Sequence, residues 1–302
     1  ALVGERTSGR ILRVQPEPGR PATLVQRLSV DGSGDGGLLD LAISPTFDQD
    51  GLIYAYLSTA TDNRVVHFSL GSQPSVIIAG IPKGRTGNAG RIAFDATGAL
   101  LTGTGDAGRP ALAASATSLA GKILRTSDIG RPLPDNPVPG SPVYARGLRS
   151  VDGLCVDPRS GLRIAISAGS PGSSDPADEV NVIKAGADYG WPGDGPASLP
   201  PVRALPAAST GGGGCALAAS RLFVATSTGR SLAVSEVSQS ANLGVFSSSL
   251  QNTYGRLAGV VAGSDGALWL TTRNRDGHGR PIAEDDRVIR ISPSDSTASP
   301  VV

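Results

Sequence analysis

Residues 102–109 read TGTGDAGR and contain GTGDAG, a letter-for-letter match to G-x-G-x-x-G. That spacing suits a dinucleotide only where a parallel strand feeds a glycine turn that opens a helix. Here the strand before it folds back at Thr97-Gly98, which makes an antiparallel pair, and Pro110 stands where the helix would begin. ALAASATSLAG (111–121) has room for one short turn of helix, and the dinucleotide reading is set aside. AGSPG (168–172) has the outline of a nucleophile elbow around Ser170, but Pro171 removes the N–H an oxyanion would need. The two histidines, His67 in a strand and His278 in the loop RNRDGHGR, offer no triad partner. DGSGDG (31–36) begins like a calcium loop, yet Ala42 takes the twelfth position where a glutamate is required, so a tight turn is expected. No Cys/His spacing suits zinc. Asp95, Asp157 and Asp265 fall at turns, where aspartate caps backbone N–H groups.

These residues must be positioned by strands. One pattern recurs as strand, tight turn, strand: LAISPTFDQDGLIYAYLS (41–58), RIAFDATGALLTGTG (91–105), GLCVDPRSGLRIAISA (153–168), CALAASRLFVATS (215–227) and VVAGSDGALWLTT (260–272). Each carries period-two apolar alternation around an Asp/Ser/Gly turn, at Gly51, Gly98, Gly161, about Ser220 and Gly266. A further strand trails each hairpin, in GRILRVQP (9–16), NRVVHFSL (63–70), GKILRTSD (121–128), DEVNVIKA (178–185), GRSLAVSEV (229–237) and DRVIRISP (286–293). A small sheet of this kind cannot bury both faces alone and must stack on neighbours. Six trailing strands predict an all-β, six-bladed β-propeller, a single domain over residues 1–302. Only five hairpins accompany them, so the first blade is expected to be incomplete, beginning at its second strand. Pro/Gly/Ser-rich stretches at 130–142, 170–178 and 193–214 read as loops, since proline cannot donate to a ladder.

The balance of 27 basic and 26 acidic residues, well interspersed, excludes the basic stripe of a nucleic-acid binder. No apolar run approaches the roughly 20 residues of a membrane span. Only three basic residues are lysine (Lys83, Lys122, Lys184), an arginine bias expected of a GC-rich, actinobacterial genome. Methionine is absent even at position 1, so a processed or truncated chain is expected. Cys155 and Cys215 are either two buried thiols or, in an oxidising compartment, a disulfide; the second is preferred.

The order of GDGGLLDLAISPTFDQDGLIYAYLS, GNAGRIAFDATGALLTGTGDAG, LAGKILRTSDIGRPLPDNP, YARGLRSVDGLCVDP and DEVNVIKAGADYGWPG resembles the soluble quinoprotein glucose dehydrogenase and aldose sugar dehydrogenase family, also called glucose/sorbosone dehydrogenases. The resemblance spans roughly residues 1–293, and DNRVVHFS with GIPKGRTGN is similar, more narrowly, to a mycobacterial lipoprotein branch. It implies a six-bladed propeller that uses pyrroloquinoline quinone (PQQ) with calcium, and a histidine base three residues before the Gly-Arg of a hairpin strand. That position is Gly87. The quinone-binding Arg-Asn pair falls on Arg149-Ser150, a glutamine on Asp35, a lysine near Thr228, and two arginines on Arg256 and Ala258. Backbone carbonyls that would hold calcium fall on Gly169-Ser170, and Tyr189 and Trp191 of DYGWP read as inter-blade packing.

The resemblance thus keeps scaffold and loses chemistry. The expectation is a propeller with no catalytic residue and no cofactor, binding a small molecule or protein at its channel end around Asp35, Arg149, Arg256 and the 169–178 loop. A monomer outside the cytoplasm is expected, lipid-anchored to the cell membrane or secreted. The rival expectation is an active PQQ- and calcium-dependent sugar dehydrogenase whose base has moved to Asp35 or Asp106.

Overall fold

The computed structural model describes residues 1–169, 177–193, 195–206, 209, 211–238 and 240–292. Its strands form six antiparallel sheets in chain order, the six blades of the expected propeller. Blade one holds β1 (Leu2–Gly4), β2 (Arg10–Arg13) and β3 (Thr23–Arg27). Blade two holds β4 (Leu38–Ile43), β5 (Ile53–Ser58), β6 (Asn63–Phe68) and β7 (Ser75–Ile81), with the helical turn α1 (Phe47–Asp50) between its first two strands. Blade three holds β8 (Arg91–Phe94), β9 (Leu100–Gly103), β10 (Lys122–Thr126) and β11 (Val143–Arg146), with α2 (Ala111–Ala114) after β9. Blade four holds β12 (Val151–Val156), β13 (Arg163–Ser167), β14 (Glu179–Val182) and β15 (Arg203–Ala204). Blade five holds β16 (Gly212–Ala218), β17 (Arg221–Thr226), β18 (Ser231–Glu236) and β19 (Ser247–Ser249), and blade six β20 (Leu257–Ala262), β21 (Leu268–Thr272) and β22 (Val288–Ile291).

The five hairpins are the first two strands of blades two to six, and the six trailing strands include β2 of blade one. As expected, β1 pairs only with β2 among the described residues, so blade one begins on the strand that the other blades place second. Burial on both faces explains the stacking. Every residue of β5 is buried. Ile53, Ala55 and Leu57 pack with Ile11 and Leu28 of blade one, while Tyr54 and Tyr56 pack with Ile92, Leu100 and Leu124 of blade three. A strand alternating between two large apolar faces holds only between two other sheets.

The inner strands of blades four, five and six approach at backbone distance. A Cβ on Gly213 would lie 2.4 Å from the Ala258 carbonyl, and one on Gly153 2.4 Å from that of Gly213. A disulfide joins two of these strands: Cys155 of β12 is bonded to Cys215 of β16, 60 residues on. Both cysteines sit in the cluster around Ile164, Ile166 and Val224. By the chain-entropy account, the paired Cys155→Ser and Cys215→Ser variant should lose about 2–4 kcal/mol in urea melts. Reducing the wild-type protein should lower its midpoint in the same direction.

Candidate functional site

The loops that carry each outer strand into the next blade, and those joining second to third strands, gather at one end of the channel. Gly87 lies there, between β7 and β8, with φ at +71°. Its N–H donates to Asp35 Oδ2 at 2.6 Å, and its carbonyl accepts from Ala107 N at 2.8 Å. The Asn88 side chain donates to Asp35 Oδ1 and to the Gly84 carbonyl. Asp35 is therefore not a carboxylate presented to a ligand: it holds the 87–88 backbone in place. A Cβ built on Gly87 would stand 2.6 Å from Asp106 Oδ1 and 2.9 Å from Gly108 N. Asp106 is itself tied down, Oδ1 accepting from Gly108 N at 2.8 Å and Oδ2 from the Trp191 indole at 2.9 Å.

Trp191 arrives from the loop that follows β14. Residues 187–191 run up beside the outer strand of blade three: Ala187 O accepts from Arg146 N, Tyr189 N donates to Arg146 O, and Trp191 N donates to Gly147 O. Tyr189 is the packing residue expected, its hydroxyl donating to the Val182 carbonyl inside the blade 3–4 core. Trp191 also bridges blades, reaching from blade four to Asp106 of blade three at the channel end. The Arg149 guanidinium stacks 5.6 Å from its ring centroid and donates from Nη1 to the Gly169 carbonyl at 2.7 Å.

The other expected residues are dispersed or engaged. Arg256 donates through Nε to Asp276 at 3.1 Å and through Nη1 to Ser227 O at 3.3 Å, so neither arginine pairs with Asp35 or Asp106. Ser150 Oγ donates to Asp152 Oδ1 at 3.1 Å, and Thr228 is exposed. Ser170 lies outside the described residues. DGSGDG is the tight turn expected, with Ser33 N donating to Asp31 Oδ1 and Lys83 paired to Asp31. Two open clefts of about 460 and 580 Å³ flank that pair on blades one and two; the second is lined by Gly34, Gly84 and Arg85, beside the turn that Asp35 and Asn88 hold.

The channel wall adds groups not anticipated from the sequence. Arg91 of β8 spans both neighbouring inner strands, donating to Leu39 O at 2.7 Å and Asp152 O at 2.6 Å. Around it, burial raises the carboxyls of Asp40, Asp152 and Asp178, and that of Asp152 reaches about 7. Among the described residues no three metal-binding side chains converge. The unfolded chain carries the Asp152 charge above about pH 4, whereas the folded protein keeps the proton until about 7, so stability should fall as pH rises across that window. Asp152→Asn should flatten that slope and be the more stable by about 2 kcal/mol at pH 8, with little difference at pH 4, in urea melts.

A family model described as Glucose / Sorbosone dehydrogenase matches residues 1–195. The chain belongs to that family. An aldose sugar dehydrogenase of Streptomyces coelicolor, solved with PQQ bound, is 38% identical and superposes with a TM-score of 0.88, covering 96% of this chain and 90% of that one. An oxidoreductase (glucose dehydrogenase) of Thermus thermophilus is 35% identical with a TM-score of 0.85, over 96% and 92% of the two chains. The aldose sugar dehydrogenase YliI of Escherichia coli is 28% identical over 202 residues, 61% of this chain and 53% of that protein. Quinoprotein glucose dehydrogenase B of Acinetobacter calcoaceticus is 28% identical over 228 residues, 62% of this chain and 47% of that protein. The chain thus spans about half the length of these curated relatives. No helix among the described residues is long and apolar enough to cross a membrane.

Proposed function

We propose that this chain is a binding propeller of the glucose/sorbosone dehydrogenase family that does not oxidise sugars by the base-and-quinone route. The observation that carries the reading is Gly87. Its φ of +71° strains an L side chain, and a Cβ there would stand 2.6 Å from Asp106 Oδ1 and 2.9 Å from Gly108 N. The residues present do not fit pyrroloquinoline quinone and calcium. Asp35 places a carboxylate where the family has an amide, Ser150 and Ala258 lack the expected donors, and Arg256 is committed to Asp276. The Gly169 carbonyl, which would face calcium, accepts from Arg149. The channel mouth is left to recognise a small molecule or a protein partner. The disulfide supports a place outside the cytoplasm, where such bonds persist.

Titration with quinone and calcium, followed by aldose sugars and a reducible dye, tests the reading. No stoichiometric quinone binding and no sugar-dependent dye reduction are expected; sustained reduction overturns it. One observation favours a second reading, an active dehydrogenase with a relocated base, because Asp106 stands where the histidine would emerge. Both its oxygens already accept hydrogen bonds, from Gly108 N and the Trp191 indole, so neither is presented to a substrate. That reading requires turnover in the wild type that Asp106→Asn abolishes.

A further inference from the structure

Blades one and two leave a groove between them with an apolar half and a cationic half. The first of the two clefts, about 460 Å³, is walled by Leu28, Val30, Leu57, Val66, Pro74 and Val76. Leu28, Leu57 and Val66 belong to the apolar core between these blades, with Val30 packed against it, so the cleft opens that core to solvent. The second cleft, about 580 Å³, is polar: Ser33 and Thr61 bring hydroxyls, Gly34 and Gly84 bring backbone, and Lys83 and Arg85 bring positive charge. Both volumes fall in the range of small-molecule pockets. Ala60 lines both clefts, and the Asp31–Lys83 ion pair stands at their junction, Asp31 on the first and Lys83 on the second. Gln26 ties the two blades together, donating to Ser72 O at 3.1 Å and accepting from Gly71 N at 3.0 Å, so the walls are held in place before anything binds.

The charge at the polar end is not balanced. Lys83 is neutralised by Asp31, but Arg85 is exposed and enters no ion pair among the described residues. Arg6 reaches the same Gly34 turn from blade one and meets carbonyls there, Gly34 O at 3.2 Å and Gly36 O at 2.8 Å, not a carboxylate. Asp35, next in the chain to Gly34, is taken up by Gly87 N and the Asn88 side chain. We propose that this groove binds a single-chain amphipathic anion, its phosphate head at Arg85 in the second cleft and its alkyl chain along Val66 and Val76 in the first. A guanidinium meets an oxyanion with paired N–H donors. The polar cleft is built from three loops, at 33–34, 60–61 and 83–85, which the three terminal oxygens of a phosphate reach better than the two of a carboxylate. An alkyl chain leaving water against the open core supplies the remaining affinity. The inference goes beyond the channel-mouth reading, since none of the lining residues is one that the resemblance assigns to base, quinone or calcium.

Calorimetric titration of the full chain with octyl phosphate, below its micelle-forming concentration, tests the site. One saturable site is expected, with binding that tightens from butyl to octyl phosphate by about two- to fourfold per methylene and weakens as salt is raised. Inorganic phosphate, which lacks the chain, and octyl glucoside, which lacks the charge, should each bind at least about tenfold more weakly. Arg85→Ala removes an exposed cation, and Ala60→Trp fills the junction from an exposed position. Both should keep the wild-type melting temperature and lose about tenfold or more in affinity for octyl phosphate. The proposal is overturned by the absence of saturable binding, by octyl glucoside or inorganic phosphate binding as tightly as octyl phosphate, or by unchanged affinity in either variant. Should a variant fail to fold, the comparison of probes on the wild type decides. A wild type that self-associates and that Ala60→Trp disperses would assign the groove to a second copy of the chain, which overturns it as well. Sugar oxidation with quinone and calcium would sink the proposed function and leave this site standing, whereas a failure to bind octyl phosphate would sink this inference alone.

Discussion

Asp95→Ala is expected to destabilise the protein by about 3–5 kcal/mol, as removing one partner of a buried ion pair does. The Asp95 side chain has no solvent exposure. Its Oδ1 closes the β8–β9 turn, accepting from Thr97 N at 2.9 Å and Ala99 N at 3.2 Å. Its Oδ2 accepts from Arg163 Nη2 of blade four at 2.8 Å and from Arg125 Nε at 3.4 Å. Both guanidiniums lie over the Tyr144 ring, at 5.6 and 5.7 Å, so one carboxylate organises a bolt between blades three and four. Without it, Arg125, whose side chain is 7% exposed, keeps only Asp135 at the surface as an acidic partner. Burial works against the Asp95 charge, but the bonds from Thr97, Arg163 and Ala99 outweigh it and hold the carboxyl down at about 2. Because the folded value lies below the ordinary 3.8, the contribution is present at neutral pH and fades as pH falls from about 4 through 2. Urea melts should show a gap between wild type and Asp95→Ala at pH 7 that narrows below pH 3. Asp95→Asn, which keeps the shape and loses the charge, should fall between them.

Asp95 also shows where a sequence can and cannot be read. Its role as a turn cap follows from its place before Thr97-Gly98; its bond to Arg163 joins residues 68 apart and follows from nothing local. The same division runs through the fold. Hairpins and trailing strands announce themselves because each alternates between two apolar faces. Outer strands such as β15 (Arg203–Ala204) and β19 (Ser247–Ser249) are exposed at every residue, so no alternation marks them. At the channel mouth, Gly87 draws attention only through the resemblance, which puts the family's base there. Asp35 and Arg256 can be placed on their loops from the sequence, but their partners, the 87–88 backbone and Asp276, come from other loops and leave no local signal. Trp191 reads as inter-blade packing, while its bond to Asp106 spans 85 residues and has no local signal. The signal that could have moved it is chemical: an indole N–H seldom stays buried without an acceptor.

Gly87→His, the substitution that would restore the family's base by sequence, is expected to cost about 2–6 kcal/mol and to yield no sugar oxidation. The backbone contributes about 1–3 kcal/mol of this, because a φ of +71° suits glycine and strains an L side chain. Overpacking adds about 1–3 kcal/mol, since the new Cβ would stand 2.6 Å from Asp106 Oδ1 and 2.9 Å from Gly108 N. Asp106 cannot simply swing aside, as it would surrender the Trp191 indole and the Gly108 N–H together. Gly87→Ala carries both the strain and the Cβ contact but not the imidazole, so its difference from Gly87→His isolates what the ring adds. Combining Gly87→His with Asp106→Ala should recover part of the packing loss and none of the backbone strain, so the two sites should be non-additive in urea melts. Full additivity would show that Asp106 is not what excludes a side chain at position 87. Sugar oxidation by Gly87→His in the presence of quinone and calcium would show instead that the backbone yields to the family geometry. The backbone is expected not to yield, because Asp35 from the neighbouring blade holds Gly87 N and the Asn88 side chain in place.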